Sequence, residues 1–229
     1  MGLGFGFNLW GLAWQQGAGC VFYQPFDFAD GSGAYGGTFD DVSAFSADSY
    51  LEINDGVLKG TGTGSGAGER VARGTLNEQT GPLATVMFDI ASDLRGLWGT
   101  QAVHVYGEDD TLVCILIMVR WPTTVNIYVR DNGLVSVAEV YVSSPPVADY
   151  TQIPDLLSTM TWKMQINLTT KEVNLVACSG LDLEENINIP IDDGLTATAI
   201  KHVECRLNDS AAGSPNTLFD NIRVYEGIV

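Results

Sequence analysis

Carboxylates and histidines are the side chains of this sequence with the clearest capacity for catalysis. Retaining glycoside hydrolysis needs two carboxylates about 5 Å apart, and the nearest acidic strings are Glu52–Asp55 and Glu184-Glu185. The first string runs into a turn, and the second lies in a loop-like stretch. Both histidines, His104 and His202, lie in strand-like segments with no partner visible in the sequence, which favours structural roles. We therefore expect no enzymatic activity.

Aromatic side chains near predicted turns are candidates for a different kind of chemistry, stacking on sugar rings. Trp98 lies in the string RGLWGT, Trp121 lies in RWPTT, and Tyr141 lies in a predicted strand. Aromatic residues in strands more often belong to a hydrophobic core. The sequence leaves two interpretations open for these three residues, a glycan-binding surface and core packing.

The charge of the chain narrows the classes of partner. Its 229 residues include 28 acidic and 11 basic side chains, for a formal net charge of −17. Such a surface repels phosphate backbones and anionic lipids, so we expect neither nucleic acid nor membrane as a partner. Hydrophobic residues make up 45% of the chain, which is enough for a full core in one domain. The acidity serves solubility or supplies oxygen ligands for divalent cations.

The four cysteines are spread over the chain and form no C-x-x-C pair, which argues against a zinc site. Cys114 lies in the apolar run Leu112–Val119 and is predicted to be a small core residue. The sequence leaves open whether Cys178 and Cys205 form a disulfide.

The first 19 residues, MGLGFGFNLWGLAWQQGAG, form an apolar segment, and its apolar stretch Leu3–Trp14 is too short to span a bilayer. The segment contains no Lys or Arg, so it lacks the basic region of a signal peptide. Exposed to water, its large apolar side chains would promote aggregation; they are Phe5, Phe7, Leu9, Trp10, Leu12 and Trp14. We predict that residues 1–19 are an arm that docks on other subunits. The alternative is that the arm folds back on its own domain.

Residues 20–229 show the alternation of apolar and polar residues that is typical of β-strands. Asp55-Gly56 and Asp131-Asn132-Gly133 each separate two such segments, as in hairpins. Pro154–Met160 is the best candidate for a short helix, and Leu112–Val119 is predicted to be a central strand. About a dozen short strands with turns between them predict an all-β fold, a two-sheet antiparallel β-sandwich preceded by the apolar arm.

Three strings together resemble concanavalin A-like jelly-roll domains. VFYQPFDFADG resembles their first core strand, and LEINDGVLKGTG resembles their second hairpin. LFDNIRVYE resembles the final strand of laminarinase-type glucanases and laminin-G-like modules. The resemblance covers residues 20–229 and implies that the first and last strands are neighbours. The motif E-x-D-x-x-E, which carries the glucanase carboxylates, does not occur in this sequence.

The resemblance also implies a structural calcium ion between the first and last strands. Asp220 matches the aspartate of the final motif, and Asp27, Asp30 or Gly31 would supply ligands from the other side. Calcium takes about six to eight oxygen ligands, of which these residues provide a part. The alternative role for Asp220 is to cap a turn.

The expected function is that of a non-enzymatic structural protein of a virion, either a capsid decoration or a tail-associated subunit of a tailed bacteriophage. The arm would dock on other virion subunits or on copies of the same chain, and the sandwich would face outward and bind a cell-surface glycan. One alternative is a secreted or surface-attached carbohydrate-binding module of a bacterium, which would be extracellular. A glycan lyase or hydrolase with an unusual site is the other.

Overall fold

The computed structural model describes residues 19–24, 51–54, 57–60, 69–93, 99–121, 124–132, 137–142, 160–179, 187–191, 194–209 and 216–229. These residues contain fourteen β-strands and no helix. The strands are β1 Cys20–Gln24, β2 Leu51–Asn54, β3 Val57–Gly60, β4 Glu69–Thr75, β5 Leu83–Asp93, β6 Gly99–Gly107, β7 Leu112–Trp121, β8 Thr124–Asp131, β9 Val137–Val142, β10 Met160–Asn167, β11 Glu172–Ser179, β12 Ile187–Pro190, β13 Ile200–Asp209 and β14 Asn216–Glu226. No described segment forms a helix with the length and hydrophobicity of a membrane span.

The strands form two antiparallel sheets. Sheet A has eight strands in the order β12-β11-β10-β5-β14-β3-β2, with β1 also paired to β14. Sheet B has six strands in the order β4-β13-β6-β7-β8-β9. Along one side of the molecule, β12 of sheet A contacts β8 and β9 of sheet B. The prediction of an all-β, two-sheet antiparallel sandwich is confirmed.

The first and last described strands are neighbours, as the sequence resemblance implied. Within β14, residues 217–219 pair with β3, and residues 222–225 pair with β1 on the same edge. The two stretches are separated by an irregularity after Asp220, where Asn221 takes a left-handed backbone conformation with φ of 48°. β1 therefore lies in the layer of sheet A and is held against the end of the chain.

The core lies between the two sheets and follows from strict alternation along the strands. In β10, Trp162, Met164 and Ile166 are completely buried, whereas Lys163 and Gln165 between them are partly exposed. Most of the buried apolar side chains of both sheets belong to a single hydrophobic cluster. Burial of each large side chain contributes about 1.5–3 kcal/mol, so this cluster holds the two sheets together.

Two of the cysteines are buried in this core. Cys114 on β7 and Cys205 on β13 are free thiols with no exposed surface. Burial raises the pKa of Cys114 to about 12, and it raises the pKa of Cys205 as well. Cys178 lies on β11 in the opposite sheet, and because Cys205 is free, the two do not form a disulfide.

Two predictions fall largely outside the described residues. Of the predicted helix Pro154–Met160, only Met160 is described, and it begins β10. Residues 1–18 of the predicted arm are also outside, so the division into an arm (1–19) and a sandwich (20–229) stays a prediction.

Candidate functional site

The outer face of sheet B carries polar and aromatic side chains in register across its strands. Val103, Val105, Val203 and Cys205 point into the core, so the residues that alternate with them on β6 and β13 point outward. The middle row crosses five strands as Arg73, Glu204, His104, Ile115 and Arg130. The flanking rows are Thr75, His202, Tyr106 and Leu112 on one side and Val71, Arg206, Ala102, Ile117 and Tyr128 on the other.

We call the polar and aromatic members of these rows, together with Asp110 of the β6–β7 turn, the sheet-B array. The array consists of Arg73, Thr75, His104, Tyr106, Asp110, Tyr128, Arg130, His202, Glu204 and Arg206. It includes three arginines and two carboxylates.

Glu204 is the electrostatic centre of the array. Its side chain is only 5% exposed and lies between two arginines, with Arg73 Nε 2.6 Å from Oε1 and Arg206 Nη2 2.5 Å from Oε2. Arg206 Nε also donates to Oε2 at 2.7 Å. Burial alone would raise the pKa of Glu204, but the hydrogen bonds and charges of the two arginines lower it below its ordinary value. Glu204 is therefore held as a carboxylate.

Tyr106 and His104 lie beside this ion-pair network. Arg206 Nη2 donates to the Tyr106 hydroxyl at 2.6 Å, and the hydroxyl is 3.4 Å from His104 Nδ1. The guanidinium of Arg73 lies 5.0 Å from the centre of the Tyr106 ring. Burial, reinforced by the charge of Glu204, raises the pKa of Tyr106 to about 12. Burial and the positive charge of Arg206 lower the pKa of His104 to about 4, so both side chains are neutral at pH 7.

Asp110 closes the array at one end. It has a φ of 62° in the turn after β6, and it accepts a 2.7 Å hydrogen bond from Arg73 Nη1. His202 Nε2 lies 3.4 Å from the same carboxylate oxygen, and Thr75 Oγ1 lies 3.0 Å from His202 Nδ1. The Asp110 side chain is 65% exposed, so it is the member of this end that a ligand reaches most easily.

The turn that carries Asp110 is fixed by the segment that precedes β13. The Glu108 carboxylate accepts hydrogen bonds from the backbone N–H groups of Thr198 at 3.0 Å and Ala199 at 2.9 Å. Asp109 accepts a 2.7 Å hydrogen bond from Thr196 Oγ1. Gly107 is required at the start of the turn, because a Cβ atom there would lie 2.3 Å from the Cβ of Ala197. This end of the array is thus preorganised.

The opposite end of the array is built from β8. The guanidinium of Arg130 lies 5.4 Å from the centre of the Tyr128 ring, a cation–π geometry. Arg130 Nε is buried and has no hydrogen-bond partner among the described residues. Between this pair and His104, Ile115 is only 5% exposed.

The structure shows partners that the sequence did not reveal for the two histidines. His104 and Tyr106 lie two residues apart on β6, and Glu204 and Arg206 lie two residues apart on β13. The spacing of two was the available signal, since it places each pair on one face of its strand. The sequence did not reveal that the two strands are neighbours.

The aromatic residues that we selected from the sequence are not tested. Trp98 lies outside the described residues, and Trp121 and Tyr141 have described backbones, in β7 and β9, but no described side chains. Their role in glycan binding stays a prediction.

Of the proposed calcium ligands, only Asp220 is described. Its Oδ1 accepts a 2.7 Å hydrogen bond from the backbone N–H of Asn221, and its Oδ2 accepts one of 3.0 Å from Asn221 Nδ2. This is the contact expected for the capping role. Asp27, Asp30 and Gly31 lie outside the described residues. Among the described residues there is no cluster of three or more side chains that could hold a metal ion. Calcium binding stays a prediction.

Comparison with known proteins identifies the architecture. No protein-family model and no curated protein sequence matches the chain. The CBM2 module of the evolved Dit of Lactobacillus casei BL23 phage J-1 has a TM-score of 0.60 at 7% identity, over 92% of this chain and 96% of the module. SCLam, a non-specific endo-β-1,3(4)-glucanase of family GH16, has a TM-score of 0.53 at 12% identity, over 91% of each chain. The fold is a concanavalin A-like jelly roll.

A further jelly roll, the catalytic domain of an endo-1,3-β-glucanase (laminarinase) from Thermotoga petrophila RKU-1, has a TM-score of 0.50 at 11% identity, over 80% of this chain and 82% of that domain. Similarity at these identities establishes the fold alone, and a jelly roll carries many functions. The function of this jelly roll must therefore be argued from the sheet-B array.

Proposed function

We propose that this chain is a non-enzymatic subunit of a tailed-phage virion that binds a cell-surface glycan through the sheet-B array. In this proposal it is a capsid decoration or a tail-associated subunit, and it docks through its N-terminal arm. The observation that carries the proposal is the ordered set of donors, acceptors and aromatic rings on the outer face of sheet B, with the exposed Asp110 carboxylate at one end.

The array has the chemistry that a sugar requires. Sugar hydroxyls bind through hydrogen bonds, and the array presents the exposed Asp110 carboxylate as acceptor and the partly exposed guanidinium groups of Arg73 and Arg206 as donors. The ion pairs and the fixed β6–β7 turn hold these groups before a ligand arrives, which lowers the entropic cost of binding.

One structural neighbour combines both parts of the proposal. The neighbour with a TM-score of 0.60 is a carbohydrate-binding (CBM2) module of a phage Dit. It supports the proposal by analogy of fold, because it is a carbohydrate-binding module within a phage protein.

Protonation states favour binding over catalysis. General acid–base catalysis works best when the pKa of the group is near the operating pH. The pKa of Tyr106, about 12, and that of His104, about 4, are both far from neutrality. Two arginines hold Glu204 ionised, so it has no proton to donate as a general acid. These properties support a static binding surface.

The glycan-binding proposal is tested by titrating purified protein with a panel of bacterial surface polysaccharides in a calorimeter. We expect saturable binding that falls at least tenfold in Asp110→Asn. The matched control is Glu172→Gln, which removes an exposed carboxylate at the start of β11 in sheet A and should leave binding unchanged. The absence of binding to every glycan in the panel would disprove the proposal.

A glycan lyase or hydrolase is the second candidate, and the proximity of His104, Tyr106 and Arg206 is the observation that favours it. The same polysaccharides are incubated with the protein, and reducing ends and unsaturated products are measured. We expect neither. Turnover that disappears in Tyr106→Phe would establish an enzyme instead.

Docking through the arm is supported by the position of Gly19, which directly precedes β1. The carbonyl of Gly19 accepts a 2.8 Å hydrogen bond from Glu226 N, and β1 follows in sheet A. Gly19 therefore lies on the far side of the core from the array. The exposed large hydrophobic side chains among the described residues are Leu83, Ile228 and Val229. They lie near Gly19, because Glu226 bonds to Gly19 and the next residue, Gly227, donates from its N–H to the carbonyl of Leu83.

Deletion of Met1–Gly19 tests the docking. We expect the truncated chain to keep its β-rich circular dichroism spectrum and to remain monomeric, whereas the full chain assembles, as measured by size-exclusion chromatography with light scattering. A full-length monomer, or a truncated chain that still assembles, would contradict arm docking. A full-length monomer would instead fit the alternative function, a secreted carbohydrate-binding module of a bacterium.

A further inference from the structure

We infer that residues 3–9 in the arm of one copy add to the open edge of β4 in a neighbouring copy of this chain, as a further antiparallel strand of sheet B. This inference rests on the proposed docking through the arm, and it names the surface on which the arm docks. It is supported by the backbone of β4, the sequence of residues 3–9 and the position of Gly19.

The backbone of β4 is paired on one side only. β4 pairs with β13 at the edge of sheet B, and no residue that the structure describes pairs with its other side. Directly after the strand, Leu76 N donates to the carbonyl of Lys201 at 2.9 Å. Because hydrogen bonding alternates along an antiparallel strand, Leu76 and every second residue before it bond toward β13. The residues between them direct their N–H and C=O groups to the open edge, where a further strand can pair; they are Glu69, Val71, Arg73 and Thr75.

β4 turns small residues toward the core beside this open edge. Ala72 and Gly74 are buried, and they alternate with the residues that bond at the edge. Directly opposite side chains on neighbouring antiparallel strands lie about 4.5–5.5 Å apart. A large side chain on an added strand therefore meets little crowding when it lies opposite Ala72 or Gly74.

Residues 3–9 have the pattern of a strand with one apolar face. Their string, LGFGFNL, alternates large apolar residues with glycine or asparagine. In one antiparallel register, Phe5 lies opposite Gly74 and Phe7 lies opposite Ala72, both on the core side. The two rings of the arm then lie beside the two small residues of β4.

The same register places a glycine on the outer face, where space is needed. Gly6 lies opposite Arg73, which bonds to Glu204 at 2.6 Å and to Asp110 at 2.7 Å. Glycine brings no side chain to this position, so the added strand leaves both ion pairs in place. A shift of one residue would bring a phenylalanine beside Arg73 and turn the glycines toward the core.

The arm joins the sandwich beside β4. Because β12 contacts β8 and β9 on one side of the sandwich, β1 and β4 lie on the other side. Residues 76–82 lead from the end of β4 to Leu83, the first residue of β5. The Leu83 carbonyl accepts from Gly227 N, and the preceding residue, Glu226, bonds to Gly19. A chain that enters β1 at Gly19 therefore passes near the end of β4.

The antiparallel direction favours the edge of a neighbour over the chain's own edge. In this direction residues 3–9 run away from the end near Gly19, over about 24 Å for a strand as long as the 7 residues of β4. To reach Gly19 of the same chain, residues 10–18 would return along this length and cross the roughly 10 Å between the sheets, a straight distance of about 26 Å. A flexible linker of this length spans about 17 Å on average. Docking on a neighbouring copy carries no such constraint.

Cysteines at one contact of this register test the pairing. Asn8 and Val71 lie opposite each other as a hydrogen-bonded pair, with Cα atoms about 5.5 Å apart, which is within the range of a disulfide. Full-length Asn8→Cys and Val71→Cys chains are co-expressed with different tags and mildly oxidised. We expect a disulfide between residue 8 of one chain and residue 71 of the other, identified by mass spectrometry of the linked peptides. Thr75→Cys replaces Val71→Cys as the matched control. Position 75 is about 14 Å farther along the same edge and should not link to residue 8.

Val71→Pro tests the edge itself. Proline removes an N–H that points to the open edge and that β13 does not use. We expect the full-length variant to keep its β-rich circular dichroism spectrum and to assemble at least tenfold more weakly, as measured by light scattering over a concentration series. Val71→Ala keeps the N–H and should assemble like wild type. If Val71→Pro does not fold, Thr75→Pro takes its place, since the Thr75 N–H points to the same edge.

The outcomes separate this inference from the proposed docking. If deletion of Met1–Gly19 abolishes assembly but Val71→Pro assembles like wild type, or the 8–71 link is absent from the assembled chains, the arm docks elsewhere. The β4 site would then be wrong and arm docking would stand. A link that forms only within single chains of the double variant Asn8→Cys/Val71→Cys would place the arm on its own edge and overturn docking on a neighbour. A full-length chain that stays monomeric would remove both proposals.

Discussion

Glu204 is the residue on which the array depends, because it neutralises two arginines from a nearly buried position. We expect Glu204→Gln to lower the free energy of unfolding by about 2–3 kcal/mol, since it leaves Arg73 and Arg206 close together without their counter-charge. Both arginines are partly exposed, so the loss should be smaller than for a fully buried pair. Urea unfolding monitored by circular dichroism measures it.

Asp110→Asn is the internal control for this prediction. It removes the second carboxylate bound by Arg73, but that carboxylate is 65% exposed. Asn tolerates the left-handed backbone at this position. We expect a loss below about 1 kcal/mol. Equal losses in the two variants would show that burial of Glu204 does not set the strength of the network.

The lowered pKa of His104 predicts that the stability of the fold depends on pH. Its pKa falls from an ordinary 6.5 to about 4 in the folded chain, chiefly through burial. The folded state therefore disfavours protonation, so this contribution to stability is fully present above pH 6.5 and is lost as the pH falls toward 4. The loss is on the order of 2–3 kcal/mol. Between pH 7 and 4, wild type should lose more stability in urea than His104→Gln, and identical pH profiles would contradict the prediction.

Asp220 carries the calcium prediction. If it binds a structural ion, chelation should lower the melting temperature by several degrees, and Asp220→Asn should abolish that sensitivity. Differential scanning calorimetry with and without chelator is the measurement. An unchanged wild-type melt would favour the capping role, which the hydrogen bonds from Asn221 to Asp220 support.

The residues of the array could be found only in part from the sequence. The alternation in QAVHVYG places His104 and Tyr106 on one face of a strand, and the alternation in VECRLND does the same for Glu204 and Arg206. About a hundred residues separate the two strings, however. Which strands become neighbours depends on the global fold, and a shift of one residue in register moves every side chain to the other face. For this reason the sequence suggested histidines without partners.

Among the elements, strands with clear alternation were predicted and two others were missed. The predicted central strand Leu112–Val119 corresponds to β7, and the hairpin predicted at Asp55-Gly56 corresponds to the pair β2 and β3. β4 was missed because it follows a glycine-rich string and contains Gly74 and two arginines. β12 has four residues and ends in proline, so it carries too little pattern. Missing β4 removed Arg73 from consideration, since Arg73 lies on that edge strand.

The β6–β7 turn should be sensitive to substitution of Gly107. Gly107→Ala places a methyl group 2.3 Å from the Cβ of Ala197, so either the turn or the segment before β13 must move. We expect a loss of about 1–3 kcal/mol and weaker glycan binding, because Asp110 is displaced. The double variant Gly107→Ala/Ala197→Gly should recover part of the stability.

Gly81→Ala is the control for the turn. There the added Cβ would lie 3.4 Å from the flexible end of Glu226, which is an ordinary contact. A change within about 0.5 kcal/mol is expected. A loss as large as that of Gly107→Ala would mean that alanine is unfavourable at both glycines for a reason other than packing.

For the whole molecule, the sequence predicted the class of fold and one feature of its topology. The two-sheet sandwich and the pairing of β1 with β14 both followed from the alternation and from the strings at the two ends of the domain. The position of the array did not follow, because it depends on the order of strands in sheet B. The fold thus separates two surfaces, with β1 in one layer and the array on the other.

The labelling rates of the two fully buried thiols should report transient opening of the core. Cys114 and Cys205 have no exposed surface, and their raised pKa values keep them protonated and unreactive. Alkylation can therefore occur only during excursions that open sheet B. Mass spectrometry of peptides after pulsed labelling should find the two modified at one common rate, slower than the half-buried Cys20. Two different rates would mean that β7 and β13 separate from the core at different times.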